Sequence, residues 1–163
     1  MEHMHQADLC HRDLKLENIM VDSQLRLKLV DFGFASFGTH VRTTDYRGTH
    51  SYMAPEIIDN VAYCGGQADI FSFAVVLFTL VVGHFPFMQA SRTDKFYSLI
   101  REDRKEEYFI KARAEHLSPE FKDLFYALAN PNPSKRLTLS QIEAHPWFIH
   151  ARQEESRAKR ELI

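Results

Sequence analysis

The chain has 163 residues, of which 45% are hydrophobic and 26% charged. That composition suits one ordinary globular domain and excludes a disordered, collagen-like or disulfide-stapled chain. Twenty Lys and Arg against 22 Asp and Glu leave a net charge of -2, so no overall basic field exists to hold nucleic acid or an anionic membrane.

Two cysteines, Cys10 and Cys64, lie far apart without a C-x-x-C spacing, which fits a reducing intracellular, cytoplasmic setting. The N-terminus lacks the basic, apolar, small-residue order of a secretory signal. In chain order, Ile19 to Val21 and Leu25 to Val30 are β-favouring runs around Asp22-Ser23-Gln24. Leu25, Leu27 and Leu29 alternate with Arg26 and Lys28, which predicts a small hairpin. Phe34 to Met53 then runs for 20 residues without strand or helix periodicity; a connection that long is more often functional than accidental.

Ile70 to Val82 is apolar on nearly every face and predicts a central buried helix, stopped by Gly83 and Pro86. The run is shorter than the roughly 20 residues a bilayer requires. Ser118 caps and Pro119 opens a further helix with Phe121, Leu124, Phe125 and Leu128 at i, i+3, i+4 and i+7, ended by Pro131 and Pro133. Thr138 with Gln141 forms a capping-box pattern for another helix, which the His145-Pro146 step terminates. Residues 151–163 are mostly charged, with Glu155 and Lys159 at i, i+4, and read as a solvated helical tail. The fold class is mainly α, an α+β arrangement in which a small β-hairpin accompanies helices.

The hairpin carries the chemistry. Asn18 precedes its first strand and Asp31 follows its second, so antiparallel pairing sets them at the same end. Neighbouring strands lie about 4.8 Å apart, close enough for two oxygen-bearing side chains to share a hard cation such as Mg²⁺. Asp13, five residues before Asn18, is carried on the adjoining loop. Such a set suits phosphoryl transfer, in which the protein positions groups, screens charge and supplies one carboxylate for the nucleophile's proton.

His11-Arg12-Asp13-Leu14-Lys15-Leu16-Glu17-Asn18 resembles the catalytic loop of eukaryotic protein kinases, Asp31-Phe32-Gly33 their metal-binding triplet, and Ala54-Pro55-Glu56 the motif that closes the activation segment. The resemblance covers nearly all of residues 1–150. It implies the large C-terminal lobe of a serine/threonine kinase that uses ATP and Mg²⁺ on a protein hydroxyl. By this resemblance Asp13 is the catalytic base and Lys15 steadies the transferred phosphoryl group. Asn18 and Asp31 are the metal ligands, and Met20 is the apolar floor under adenine. Glu17 resembles a carboxylate that meets a basic substrate residue. Lys15 and Gly48-Thr49 resemble the serine/threonine rather than the tyrosine type, with Thr49 beside the substrate. Val76 to Phe87 and His145-Pro146-Trp147-Phe148 look most like the calcium/calmodulin-dependent and AMP-activated-like kinases.

Arg12 resembles the arginine that pairs with an activation-loop phosphate, which makes Thr43 and Thr44 candidate phosphorylation sites. The position three residues before Gly48, where many relatives carry the phosphorylated threonine, is Asp45. It reads either as a permanent part of that negative charge or as a solvated loop aspartate. Glu56 and Arg136 resemble a buried structural ion pair, and Asp69 resembles the central-helix aspartate that bonds the catalytic-loop backbone. Two departures stand out. Asp69-Ile70-Phe71-Ser72-Phe73-Ala74 replaces the family's Asp-x-Trp-Ser-x-Gly, and Asn132-Pro133 stands where Asp-Pro is usual.

His3, His5, Cys10 and His11 cluster, but neither spacing nor a second ligand pair supports zinc, so structural histidines are expected. Met1 to His5 resembles the end of the helix that precedes the catalytic loop. No lysine occurs before Lys15 and no glycine-rich lid is present, so the small lobe is expected to be absent and phosphate transfer by these residues alone slow. Two functions follow: a kinase represented by its large lobe, or a non-catalytic module that uses the lobe surface to hold kinase substrates or regulators.

Overall fold

The structure, a computed structural model, describes residues 1–152; the tail expected over 151–163 therefore lies outside the described residues beyond Arg152. A short helix α1 (Glu2–Gln6) leads into strand β1 (Leu9–Cys10), and a single 3₁₀ turn at Leu16–Asn18 opens the hairpin of β2 (Ile19–Val21) and β3 (Leu27–Leu29). Strands β4 (Ser36–Phe37) and β5 (Arg42–Thr43) follow, then α2 (Pro55–Ile58) and β6 (Tyr63–Cys64). The remainder is helical: α3 (Gly65–Val82), α4 (Tyr97–Arg101), α5 (Lys105–Lys111), α6 (Pro119–Leu128), α7 (Leu139–Glu143) and a further helical stretch over 146–152. Strands pair antiparallel as three two-stranded sheets, β1 with β4, β2 with β3 and β5 with β6.

Three expectations need correction. The second hairpin strand is shorter than Leu25 to Val30, because Leu25 takes φ 59° and belongs to the turn. The Asp22 carboxylate accepts the Gln24 and Arg26 N–H groups at 2.9 Å each and holds that turn open by two further residues. The segment Phe34 to Met53 is not wholly irregular, since β4 and β5 tie it to β1 and β6. Strands of two residues leave no periodicity to detect.

The central helix also begins at Gly65, five residues before Ile70, and spans 18 residues. Its first turns are small and polar, so the apolar run understates it. At that length it could cross a membrane by composition alone, but 67% of it is buried inside the protein. Gly65 fits there because a Cβ would sit 2.4 Å from the Cys10 sulfur. Gly83 ends the helix at φ 88°, a left-handed conformation glycine adopts freely, and its N–H bonds the Thr79 carbonyl at 2.9 Å.

Around α3 the core is aromatic. Phe71, Phe78, Tyr97, Tyr108, Phe121 and Phe125 are fully buried. The Phe78 and Phe125 rings lie 4.7 Å apart, joining α3 to α6. Each such pair contributes about 0.5–1.5 kcal/mol beyond its burial. Ser118 caps α6 by accepting the Phe121 N–H at 3.2 Å, and the Thr138–Gln141 capping box is formed in both directions. Helix α6 stops at Leu128, ahead of Pro131.

Candidate active site

The loop between β1 and β2 is fixed from beneath by α3. Asp69 is 1% exposed, and its carboxylate accepts the His11 and Arg12 backbone N–H groups at 2.8 Å each. The same carboxylate meets His5 Nε2 from α1 at 3.0 Å; an ionised carboxylate only accepts, so that nitrogen donates. These bonds hold Arg12 at φ 64°, a conformation costing a non-glycine residue roughly 1 kcal/mol or more. The strained residue aims the next side chain, Asp13.

The Asp13 carboxylate is buried and held at both oxygens. Lys15 Nζ lies 2.7 Å from Oδ2, and the Thr49 hydroxyl donates to Oδ1 at 2.8 Å. Lys15 also donates to Thr49 Oγ1 at 2.9 Å, so Asp13, Lys15 and Thr49 form a closed triangle. Gly48 makes that possible. At φ 114° it brings its segment so close that a Cβ would lie 2.8 Å from the Arg12 carbonyl. Asn18 Nδ2 donates to the Asp13 carbonyl at 2.9 Å, which ties Asn18 back to the loop that carries Asp13.

The hairpin register, Ile19 opposite Leu29, is extended by the Val30 N–H bonding the Asn18 carbonyl at 2.9 Å. Asn18 and Asp31 therefore flank one end of the hairpin, as the sequence predicts. Asp31 sits at φ 62°, and its Oδ1 accepts the Gly33 N–H at 3.2 Å. With Asn18 Nδ2 committed to the Asp13 carbonyl, Asn18 Oδ1 and Asp31 Oδ2 have no hydrogen-bond partner among the described residues. Two unengaged oxygens, one charged, are the donor type Mg²⁺ takes, so the residues fit that ion. The Phe32 ring packs 5.1 Å from His11, whose Nε2 meets the Val30 carbonyl at 3.1 Å.

Around this centre, Met20 is exposed on β2, and Glu17 is exposed with its Oε2 accepting the Tyr52 hydroxyl at 3.3 Å. Burial, and then the Glu17 charge, push the Tyr52 hydroxyl above its ordinary pKa. Arg12 reaches the activation segment. Its Nη1 lies 3.2 Å from the Asp45 carboxylate and its Nε donates to the Phe34 carbonyl at 2.7 Å. Thr43 lies on β5 and accepts the Asp45 N–H at 3.1 Å, while Thr44 is exposed. Glu56 and Arg136 form a bidentate pair at 2.7 Å for each bond, and Arg136 also donates to the Asn130 and Gln67 carbonyls.

Sequence reasoning missed several of these partners. His5 was expected only as a structural histidine, without its contact to Asp69. Asp8 holds buried Thr39, accepting its N–H at 2.9 Å and its hydroxyl at 2.8 Å. Arg47 adds a second guanidinium to Asp45 at 3.3 Å, and the Tyr63 hydroxyl donates to the Asp45 carbonyl at 2.8 Å. Except for Arg47, two residues from Asp45, these partners are too far apart in sequence for any spacing rule to pair them.

A lysine-held carboxylate beside two oxygen donors is an arrangement compatible with phosphoryl transfer. The protein kinase domain profile matches residues 1–148, and the chain belongs to that family. Serine/threonine-protein kinase SAPK9 of Oryza sativa subsp. japonica is 36% identical over 152 residues, which is 91% of this chain and 42% of that protein. Serine/threonine-protein kinase SRK2G of Arabidopsis thaliana is 35% identical, over 91% of this chain and 43% of that protein. The chain thus spans less than half the length of the curated relatives it matches. Protein kinases of this family use ATP and Mg²⁺.

Proposed function

We propose that the chain is the large, substrate-facing lobe of a serine/threonine protein kinase that moves the γ-phosphoryl group of ATP to a protein hydroxyl. The observation that carries this reading is the Asp13–Lys15–Thr49 triangle, with both Asp13 oxygens engaged at 2.7 and 2.8 Å. Asp13 receives the proton of the acceptor hydroxyl as its oxygen bonds to phosphorus and the bond to the ADP oxygen breaks. Lys15 places a positive charge where the transferring group passes. Asn18 and Asp31 would hold Mg²⁺, which when bound screens the phosphate charge. Exposed Glu17 favours a basic side chain in the substrate. The sequence patterns of Val76 to Phe87 and of His145 to Phe148 favour the calcium/calmodulin-dependent and AMP-activated-like group.

These 163 residues contain no lysine before Lys15 and no glycine before Gly33, so they do not supply the strand lysine and glycine-rich lid that position ATP in this family. Alone they transfer phosphate slowly or not at all. Mg²⁺-dependent phosphorylation of serine and threonine peptides is compared for the 163-residue chain and a form fused to a kinase small lobe. Transfer by the fused form alone, abolished by Asp31→Ala, supports the reading. A fused form that binds kinase substrates yet never transfers phosphate supports the non-catalytic module instead.

A further inference from the structure

We infer that Asp45 is a positioning residue for Asp13, holding the activation segment in working register without phosphorylation; this rests on the kinase reading and names how that site is regulated. Arg12 is the natural reporter. Its backbone lies in the strained loop that aims Asp13, and its guanidinium faces the activation segment. An arginine there demands an anion, and the structure provides one that is permanent.

The Asp45 carboxylate lies 3.2 Å from Arg12 Nη1 and 3.3 Å from Arg47 Nε. Two guanidinium groups thus converge on a single carboxylate from two stretches of chain. Its backbone is fixed as well, with the carbonyl accepting the Tyr63 hydroxyl at 2.8 Å and the N–H donating to Thr43 Oγ1 at 3.1 Å. Tyr63 and Thr43 face each other across the β5–β6 pair. The residue is therefore tied to the catalytic loop, to the segment leading to Gly48, and to the small sheet at the foot of α3. A fully solvated loop aspartate would lack the two guanidinium contacts.

The arrangement also limits the neighbouring threonines. Thr43 already uses its hydroxyl oxygen on the Asp45 N–H, and a phosphate on either threonine would enter beside an existing carboxylate, where like charges repel. With the side chain 46% exposed, the pairing is screened by salt and is only moderately strong.

Deuterium uptake by residues 34–49 of the 163-residue chain, checked phosphate-free by mass spectrometry, tests this without any phosphotransfer. Asp45→Asn keeps size and removes charge, and is expected to speed exchange there by about two- to fivefold, the range open to a half-exposed charge pair. Asp45→Glu should restore most of the protection, and raising salt should erode it in the parent but not in Asp45→Asn. Thr44→Ala should leave it unchanged. Equal protection in the parent and Asp45→Asn would overturn the inference, as would protection that arises only after Thr43 or Thr44 is phosphorylated. Because uptake is read without turnover, failure of the kinase reading would show separately, as absent transfer by the fused form with protection intact.

Discussion

Asp8 shows how one side chain outside the candidate site can pin a distant segment of the chain. Its carboxylate takes two hydrogen bonds from Thr39, hydroxyl first and then N–H, and these lower its pKa. A lowered folded-state pKa means the group stabilises the fold above the ordinary carboxylate value, and that stabilisation is lost as pH falls through the folded value. The window therefore lies below about pH 4. Unfolding midpoints measured from neutral pH downward should show the parent above Asp8→Asn at neutral pH, with the gap closing as the solution is acidified. A gap that is constant with pH would assign the difference to packing. The buried pair of Glu56 and Arg136 is a different case, because Arg136 is fully occluded and removing one partner strands a charge at about 3–5 kcal/mol.

At the scale of elements, helix α3 organises the site because its first two turns carry both Asp69 and Gly65, whose missing side chain lets β1 approach. Gly65→Ala sets two effects against each other. Alanine is favoured over glycine in a helix by about 1 kcal/mol, yet the added carbon would lie 2.4 Å from the Cys10 sulfur and 3.1 Å from its Cβ. Overpacking of that kind costs about 1–3 kcal/mol, so the variant should be less stable in thermal unfolding. Gly65→Ala combined with Cys10→Ala should recover most of the loss, as contacting residues couple. If Gly65→Ala alone raises the melting temperature, β1 yields more easily than the packing implies.

What the sequence made legible divides along the same lines. Long elements with their own periodicity or caps, such as the middle of α3 and the whole of α6, were readable because burial repeats along them. The Asn18–Asp31 juxtaposition was readable because hairpin geometry fixes it. Strands β4, β5 and β6 were not, being two residues long and stabilised by contacts between distant segments. The same limit hid His5 behind Asp69 and Tyr63 behind Asp45, since each pairing exists only after the helices have packed.

For the whole molecule, the loop from His11 to Asn18, the hairpin and the segment ending at Met53 all rest on one core, while several apolar side chains of the hairpin stay exposed. Leu25 is 85% exposed, Leu27 72% and Met20 55%, an apolar display that suits a covering domain such as the ATP-positioning half of a kinase. The role proposed for Asp13 is to take the proton of a serine or threonine hydroxyl. It is tested most directly by offering serine, threonine and tyrosine peptides, with ATP and Mg²⁺, to the form fused to a small lobe and to its Asp13→Asn variant. Phosphate should appear on serine and threonine only, and the variant should be slower by about 10²–10⁴-fold, the range for loss of a general base. Phosphotyrosine as the main product, or a rate that survives Asp13→Asn, would show that the triangle around Asp13 serves some other purpose.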